Sequence, residues 1–395
     1  LIQLTDNEPD RDTHVLTSEP VVHKAFHISR WEVLLAVVIG VFCLLSFFVI
    51  QNILLFIIGI MALSIWLTFR ASHFAIDGLE SLGSIAGLSA YFIGVVSSLA
   101  SNTPEAVVSA LTAWSGYSTG NSELVEIAVL SVVMAAGFNI LLLGIVVVLS
   151  TRKTGIVRVP REVVEDDADL IRWTIVVMSL LFAFGILFYV NQLIHGVVPG
   201  LNFLPSALAF LMVLSYVLYA IYAVRKPPSK DKLTPQPRHS KRNSTLLAII
   251  GFVGIFIAGF LLAEAVELAF EFVPWSGIGI IETQRIVIMA LIIGAAGALP
   301  EHGIAIIAAT RAKADIAIGN TLGGTTQVLL LIVGGVAMFL PLPLDAAVLL
   351  QFATAAGSLW FLKSALTDDQ KVDVYEGAMI ILMQAFVFIL VLMPI

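Results

Sequence analysis

The sequence predicts an all-α, polytopic membrane protein of about eleven transmembrane helices, one N-terminal helix followed by two inverted five-helix repeats. Three observations predict it. Of 395 residues, 59% are hydrophobic and 12% charged, with a mean hydropathy of +0.99, outside the make-up of a soluble domain. Apolar runs of roughly 20 residues, each able to cross a bilayer, recur along nearly the whole chain. Lys and Arg collect in alternate connections, as cytoplasmic segments require.

Residues 1–30 are polar and mixed in charge, without the apolar core of a cleavable signal, and are expected to form a soluble cytoplasmic arm. An additional helix follows at 31–50 and carries the single cysteine, Cys43, so no intramolecular disulfide is expected. Gln51-Asn52 separates it from a second helix, 52–86, which is longer than a bilayer is thick and is expected to tilt or protrude. Turn residues and charges delimit nine more, at about 88–116, 121–150, 171–191, 202–225, 244–272, 284–311, 315–341, 343–365 and 373–394. The Pro-rich, basic stretch KPPSKDKLTPQPRHSKRNS supplies a cytoplasmic linker, 226–243, between halves 52–225 and 244–395.

Placing the amino terminus in the cytoplasm puts 19 of the 21 Lys and Arg residues on that side. Only Arg70, within a helix, and Arg285, outside, depart from the pattern, and the carboxyl terminus falls outside or in a lumen. The basic residues thus set topology, and no nucleic-acid partner is expected. The acidic run EVVEDDAD, Glu162 to Asp169, reads as a solvated cytoplasmic segment.

The halves share a motif. SNTPEAVVSALTAW (101–114) aligns with GALPEHGIAIIAAT (297–310), and each precedes a helix rich in small residues, VLSVVMAAGFNILLLG and IAIGNTLGGTTQVLLLIVG. Five helices per repeat is an odd number, so the second copy should lie inverted, as in secondary transporters. A proline inside a membrane helix frees carbonyls in the preceding turn. Glu105 and Glu301 follow such prolines, and an axis in the membrane plane would bring the two carboxylates together near the bilayer centre. There they could neutralise one divalent cation, a hard ion that takes about six oxygen ligands. A Pro-Glu helix cap at the membrane surface is the structural alternative. Long apolar flanks on both sides of each glutamate favour the buried reading.

Helical spacing names companions. Asn102 lies on the face of Glu105, with Thr103 beside it. Ser131, Ala135 and Asn139 recur every fourth residue, and Asn320, Gly323, Gly324 and Gln327 follow a similar stripe; both patterns serve helix packing as well as ligation. His302 sits about 100° round the helix from Glu301 and could carry a proton or fill a polar gap. Asp77, Glu80, Glu264 and Glu267 could line aqueous access routes or simply be solvated at helix ends.

These residues resemble the cation/Ca2+ exchanger superfamily from the second helix to the end. FAIDGLESLGSIAGLSAYFIGVVSSLASNTPEAVVS with FNILLLG is similar to the first repeat of sodium/calcium exchangers. PEHGIAIIAATRAKADIAIGNTLGGTTQ resembles instead the second repeat of Ca2+/H+ antiporters, which also have an extra first helix. The resemblance implies that Glu105 and Glu301 bind Ca2+, with Asn102, Asn139 and Gln327 at matching polar positions. Three departures stand out. Gly297-Ala298 replaces the hydroxyl-bearing pair of sodium exchangers, Val328 replaces their second-repeat acid, and the basic linker takes the place of an acidic regulatory helix.

The expected function is therefore Ca2+/H+ antiport by alternating access, with Glu105, Glu301 and His302 linked to protons and the second and seventh helices sliding across the rest. Ca2+ is the transported substrate, and no cofactor and no enzymatic activity are expected; no His-Glu-x-x-His motif is present. Na+/Ca2+ exchange is the second reading and a cation channel the third.

Overall fold

A computed structural model of the chain describes residues 29–88, 93, 98–152, 155–158, 161–195, 202–225, 237–310, 314–368 and 371–393. Some side chains within these segments, among them those of residues 161–168, Pro300, Glu301 and Asn320, lie outside the description. Nearly all of the predicted arm, most of the linker and the side chains of the acidic run up to residue 168 therefore fall outside the described residues, while Asp169 pairs with Arg172 at 3.3 Å.

Helices α1 (Arg30–Phe48), α2 (Ile53–Ile85), α3 (Thr103–Thr119), α4 (Ser122–Thr151), α5 (Arg161–Ile194) and α6 (Ser206–Arg225) form the first half. The second comprises α7 (Lys241–Phe272), α8 (Glu282–Thr310), α9 (Ala314–Gln327), α10 (Val333–Phe339), α11 (Ala346–Asp368) and α12 (Val374–Leu392). Since α9 and α10 are joined by a π-helical segment, Val328–Ile332, they count as one, and the described residues hold the expected eleven helices, eight of them long and apolar enough to cross a membrane. Boundaries moved modestly. The fifth helix begins at Arg161 rather than 171, and α7 begins at Lys241, where the Ser240 hydroxyl caps the Asn243 amide.

Local chemistry explains the punctuation. Ser29 and Glu32 form a capping box at α1, Asn52 and Asn121 cap α2 and α4, and Asp373 with Glu376 closes a second box at α12. Gly120, at φ 70°, takes the left-handed conformation that ends α3. On the linker face, β1 (Ile156–Arg158) pairs antiparallel with β2 (Lys371–Asp373), Val157 opposite Val372. On the other face, Leu204 and Leu342 and then Leu344 and Asn202 bond through their backbones, tying the connections that precede α6 and α11.

Helix α4 is the centre of the bundle. Most of its apolar residues from Leu124 to Val147 are buried, among them Ile127, Val133, Met134, Ile140 and Val146 with no exposed surface. A helix apolar all round belongs inside a large protein, and α3, α8, α11 and α12 surround it. By contrast α1 meets, among the described residues, only α2 extensively, burying Cys43 and Ser46 while Leu44, Phe48 and Val38 face outward toward lipid.

The closest helix pair is α2 with α7. A side chain on Gly78 would collide with the Ala248 amide nitrogen at 2.5 Å, and one on Gly251 with the Ala75 Cα at 2.7 Å. Small residues at these positions let the two backbones touch, the usual way membrane helices gain contact where lipid supplies no hydrophobic drive. Ser64 adds a hydrogen bond across the seam, its hydroxyl donating to the Ala258 carbonyl at 2.7 Å.

Candidate functional site

The site begins where α3 does. Residues 98–101 are helical, Asn102 is a turn, and α3 restarts at Thr103 with Pro104 in its first turn. Proline suits that place because the first amides of a helix have no intrahelical partner to lose. This helix start is buried, not surface-exposed: Asn102 has no exposed area and Glu105 only 3%. The Pro-Glu motif is thus a helix start and a buried feature together. The second copy differs, for α8 runs unbroken through Pro300 from Glu282 to Thr310, and no break precedes Glu301.

Both carboxylate oxygens of Glu105 are buried with no hydrogen-bond partner among the described residues. The same holds for Asn102 Oδ1, for both Asn139 amide atoms and for Gln327 Nε2. Leaving such groups without partners costs about 1–3 kcal/mol each, more for a charge. Asn102 and Gln327, bonded to each other three residues from Glu105, make with it a polar group chemically suited to a ligand that supplies the missing interactions, and Asn139 lies one turn from the Ala135 that Gly294 of α8 meets. Oxygens from carboxylate and amide are what a hard cation takes.

Gln327 is fixed from the other half. Its Oε1 accepts from Ser98 Oγ at 2.7 Å and from Asn102 Nδ2 at 3.2 Å, joining the segment before α3 to the end of α9. These bonds leave Asn102 Oδ1 and Gln327 Nε2 as the free ends. The π turn starts at the next residue, Val328, the position where the sodium-exchanger acid was missing. A π turn inserts one residue into the helical register, a distortion common at functional sites.

Helix α8 contributes in two ways. Gly297 approaches so closely that a Cβ would stand 2.8 Å from Glu105 Cγ, which brings the two Pro-Glu segments together one turn before Glu301. The Glu301 side chain itself lies outside the described residues. One residue on, His302 lies between two backbone carbonyls, Nδ1 at 2.6 Å from Ala298 O and Nε2 at 3.1 Å from Phe138 O. A neutral imidazole can donate to one of these acceptors and the doubly protonated ring to both.

Other expected residues are dispersed. Thr103 turns its hydroxyl to the Leu99 carbonyl at 2.8 Å. Ser131 donates to Ala128 O within its own helix, and Gly294 packs on the Ser131 and Ala135 backbone, so that stripe mainly serves packing. Asp77 and Glu80 face the linker: Arg238 lies 3.2 Å from Asp77 and 3.5 Å from Glu80. Near the opposite face, Glu267 accepts a hydrogen bond from Ser115, and Glu264 is exposed. Sequence reasoning missed Ser98, which the spacing 98, 102, 105 would have found by the rule that found Asn102.

An all-helical membrane bundle with a polar, ligand-seeking centre is the frame of an ion transporter. The sodium/calcium exchanger protein family matches residues 55–225 and again 243–393, most of the chain, and the chain belongs to that family of cation/Ca2+ exchangers. Solved structures agree in fold. The H+/Ca2+ exchanger CAX has a TM-score of 0.62 at 17% identity, over 92% of each chain. Native YfkE has a TM-score of 0.62 at 17% identity, over 92% of this chain and 99% of that one. The sodium-calcium exchanger NCX_Mj, soaked with Na+ and Sr2+, has a TM-score of 0.56 at 17% identity, over 84% of this chain and 96% of that one. At such identities the likeness concerns the fold alone. No curated protein matches the sequence.

Proposed function

We propose that the protein exchanges Ca2+ for H+ by alternating access, with Ca2+ and protons competing for the same buried carboxylates. The observation that carries this is Glu105, a carboxylate with both oxygens buried and no partner among the described residues. Ionised, it has to find a cation; protonated, it carries no charge to hold at that depth. Ca2+ release and proton uptake are then alternatives, and the empty protonated site can reorient without an unpaired charge. Glu301, on the helix whose Gly297 touches Glu105, is the second carboxylate in this reading, with Asn102, Asn139 and Gln327 as amide ligands or orienters. Asn139, one turn along α4 from the Ala135 that Gly294 of α8 meets, holds two buried amide atoms with no partner among the described residues, which favours a direct role.

Protons rather than sodium are favoured by His302, a titratable ring held between two backbone carbonyls. Gly297, Ala298 and Val328 also withhold the oxygens that additional Na+ sites would need. Sodium-coupled exchange is the second reading, supported by the first-repeat motif and by the fold likeness to a sodium-calcium exchanger. The family match to each half separately supports two repeats, and the Lys and Arg distribution supports a cytoplasmic linker face. In the transport cycle α2 and α7, joined backbone to backbone, move as one unit against the bundle.

Purified protein in liposomes tests the proposal. An imposed pH gradient should drive Ca2+ uptake without sodium, and Glu105→Gln should abolish it. Uptake that follows only a sodium gradient would overturn the proton assignment, and uptake with no counter-ion would replace exchange by channel conduction.

A further inference from the structure

Behind α4, on the side away from α8, two fully buried glutamines meet. Gln351 of α11 and Gln384 of α12 exchange amide hydrogen bonds, Gln351 Nε2 to Gln384 Oε1 at 3.3 Å and Gln384 Nε2 to Gln351 Oε1 at 3.1 Å. The pair is closed on itself, so it neither seeks a ligand nor joins the site. It presses instead on Gly137: a Cβ there would stand 2.7 Å from Gln384 Nε2 and 2.9 Å from both amide atoms of Gln351. One turn further along α12, Phe388 packs on Phe138 with ring centroids 4.8 Å apart.

What lies next in α4 gives this contact its meaning. The Phe138 carbonyl faces His302 Nε2 at 3.1 Å, and Asn139, one turn from the Ala135 that Gly294 of α8 meets, holds two buried amide atoms with no partner among the described residues. Three consecutive residues thus connect a rigid amide clamp on one side of α4 to two elements of the site on the other. We infer that the Gln351–Gln384 pair is a positioning device, fixing the depth of the Gly137-Phe138-Asn139 turn and through it the placement of Asn139 and His302. A buried reciprocal amide pair suits that task because its geometry is set by direction as well as by contact. An apolar pair of equal volume would fill the space without dictating the distance to Gly137. The inference rests on the exchanger reading for its transport consequence, but not for its structural one.

The decisive variant is the double Gln351→Met, Gln384→Met, which removes both amides together and leaves no orphan, so that folding is preserved. Two readouts on the full-length protein in liposomes apply. The Michaelis constant for Ca2+ should rise about tenfold at near-native maximal rate, the scale typical when a residue supporting a ligand is lost. The 15N resonance of His302 Nε2, assigned by its loss in His302→Asn, should move. Gly137→Ala, which disturbs the same contact with the amides intact, should reproduce both effects. A double variant with native Michaelis constant and unmoved His302 resonance would overturn the inference, as would one whose rate falls only with its folded fraction. If the native protein moves no Ca2+, the exchanger reading fails, and the His302 resonance alone then decides whether the amide pair positions α4.

Discussion

Gly297 of α8 lies against Glu105 of α3, where an added Cβ would stand 2.8 Å from the glutamate Cγ and 3.2 Å from its Cα. That glycine occupies, in the second repeat, the place of Ser101 in the first. The absence of a side chain is what lets the two Pro-Glu segments approach.

Gly297→Ala should therefore displace the carboxylate rather than simply fill space. Sub-ångström to 1 Å misplacements of a liganding group can cost up to about a hundredfold. A rise in the Michaelis constant for Ca2+ of about tenfold is expected at matched protein abundance in liposomes. An unchanged constant would mean that α8 accommodates the methyl group and that Glu105 is not held by this contact.

The Gln327 hub makes a stability prediction. Gln327→Leu strands the buried Ser98 hydroxyl, at about 1–3 kcal/mol, and leaves Asn102 Nδ2 only its longer bond to Ser98 Oγ at 3.4 Å. Ser98→Ala removes one donor and strands none. The thermal midpoint of purified protein should fall several degrees more for Gln327→Leu than for Ser98→Ala; equal shifts would show that Oε1 is not the shared acceptor.

Much of this was legible in the sequence, for reasons that particular residues make clear. Composition and Lys/Arg alternation fix crossings because lipid forbids unsatisfied backbone, so eleven helices could be counted without knowing how they pack. Asn102, Asn139 and Gln327 stood out because an amide inside an apolar helix is costly and rarely idle. The π turn at Val328–Ile332 gave no such signal, since an inserted residue changes register without changing composition. Nor could the sequence say that α3 restarts after Asn102 while α8 runs through Pro300, because neighbouring helices decide whether a freed carbonyl finds a partner. The glutamine clamp was invisible for a different reason. Gln351 and Gln384 are 33 residues apart on separate helices, and only tertiary pairing makes them one feature.

Asp345, in the connection before α11 and outside the spanning segments, provides a pH test. Its Oδ1 accepts from the Val348 amide at 2.9 Å, yet burial pushes its carboxyl above the usual aspartate value. A raised value means that the folded chain holds the proton more tightly than the unfolded chain does. The associated stability is present below the unfolded value and is lost as pH rises through the folded one. Asp345→Asn keeps an acceptor for Val348 and removes the charge. Its thermal midpoint should exceed that of the native protein at neutral pH, with the gap closing as pH falls through the aspartate range. A gap that widens on acidification would reverse the sign and place a cation beside Asp345.

The α2–α7 seam yields the last prediction. Gly251 faces the Ala75 Cα and the Ala71 carbonyl so closely that a Cβ would come within 2.7 and 2.8 Å of them. Both obstacles are backbone or its immediate attachment, so no side-chain rotation can relieve the clash, and the helices have to part. Overpacking of this kind costs about 1–3 kcal/mol. Parting the helices would also stretch the Ser64 to Ala258 hydrogen bond one turn or more away. Gly40, on α1, is the control, since nothing lies within 4 Å of its added Cβ. Gly251→Val should lower the thermal midpoint of the purified protein by several degrees, and Gly40→Val should leave it nearly unchanged. If both variants melt with the native protein, α2 and α7 are not held in backbone contact, and the two helices do not move as a unit.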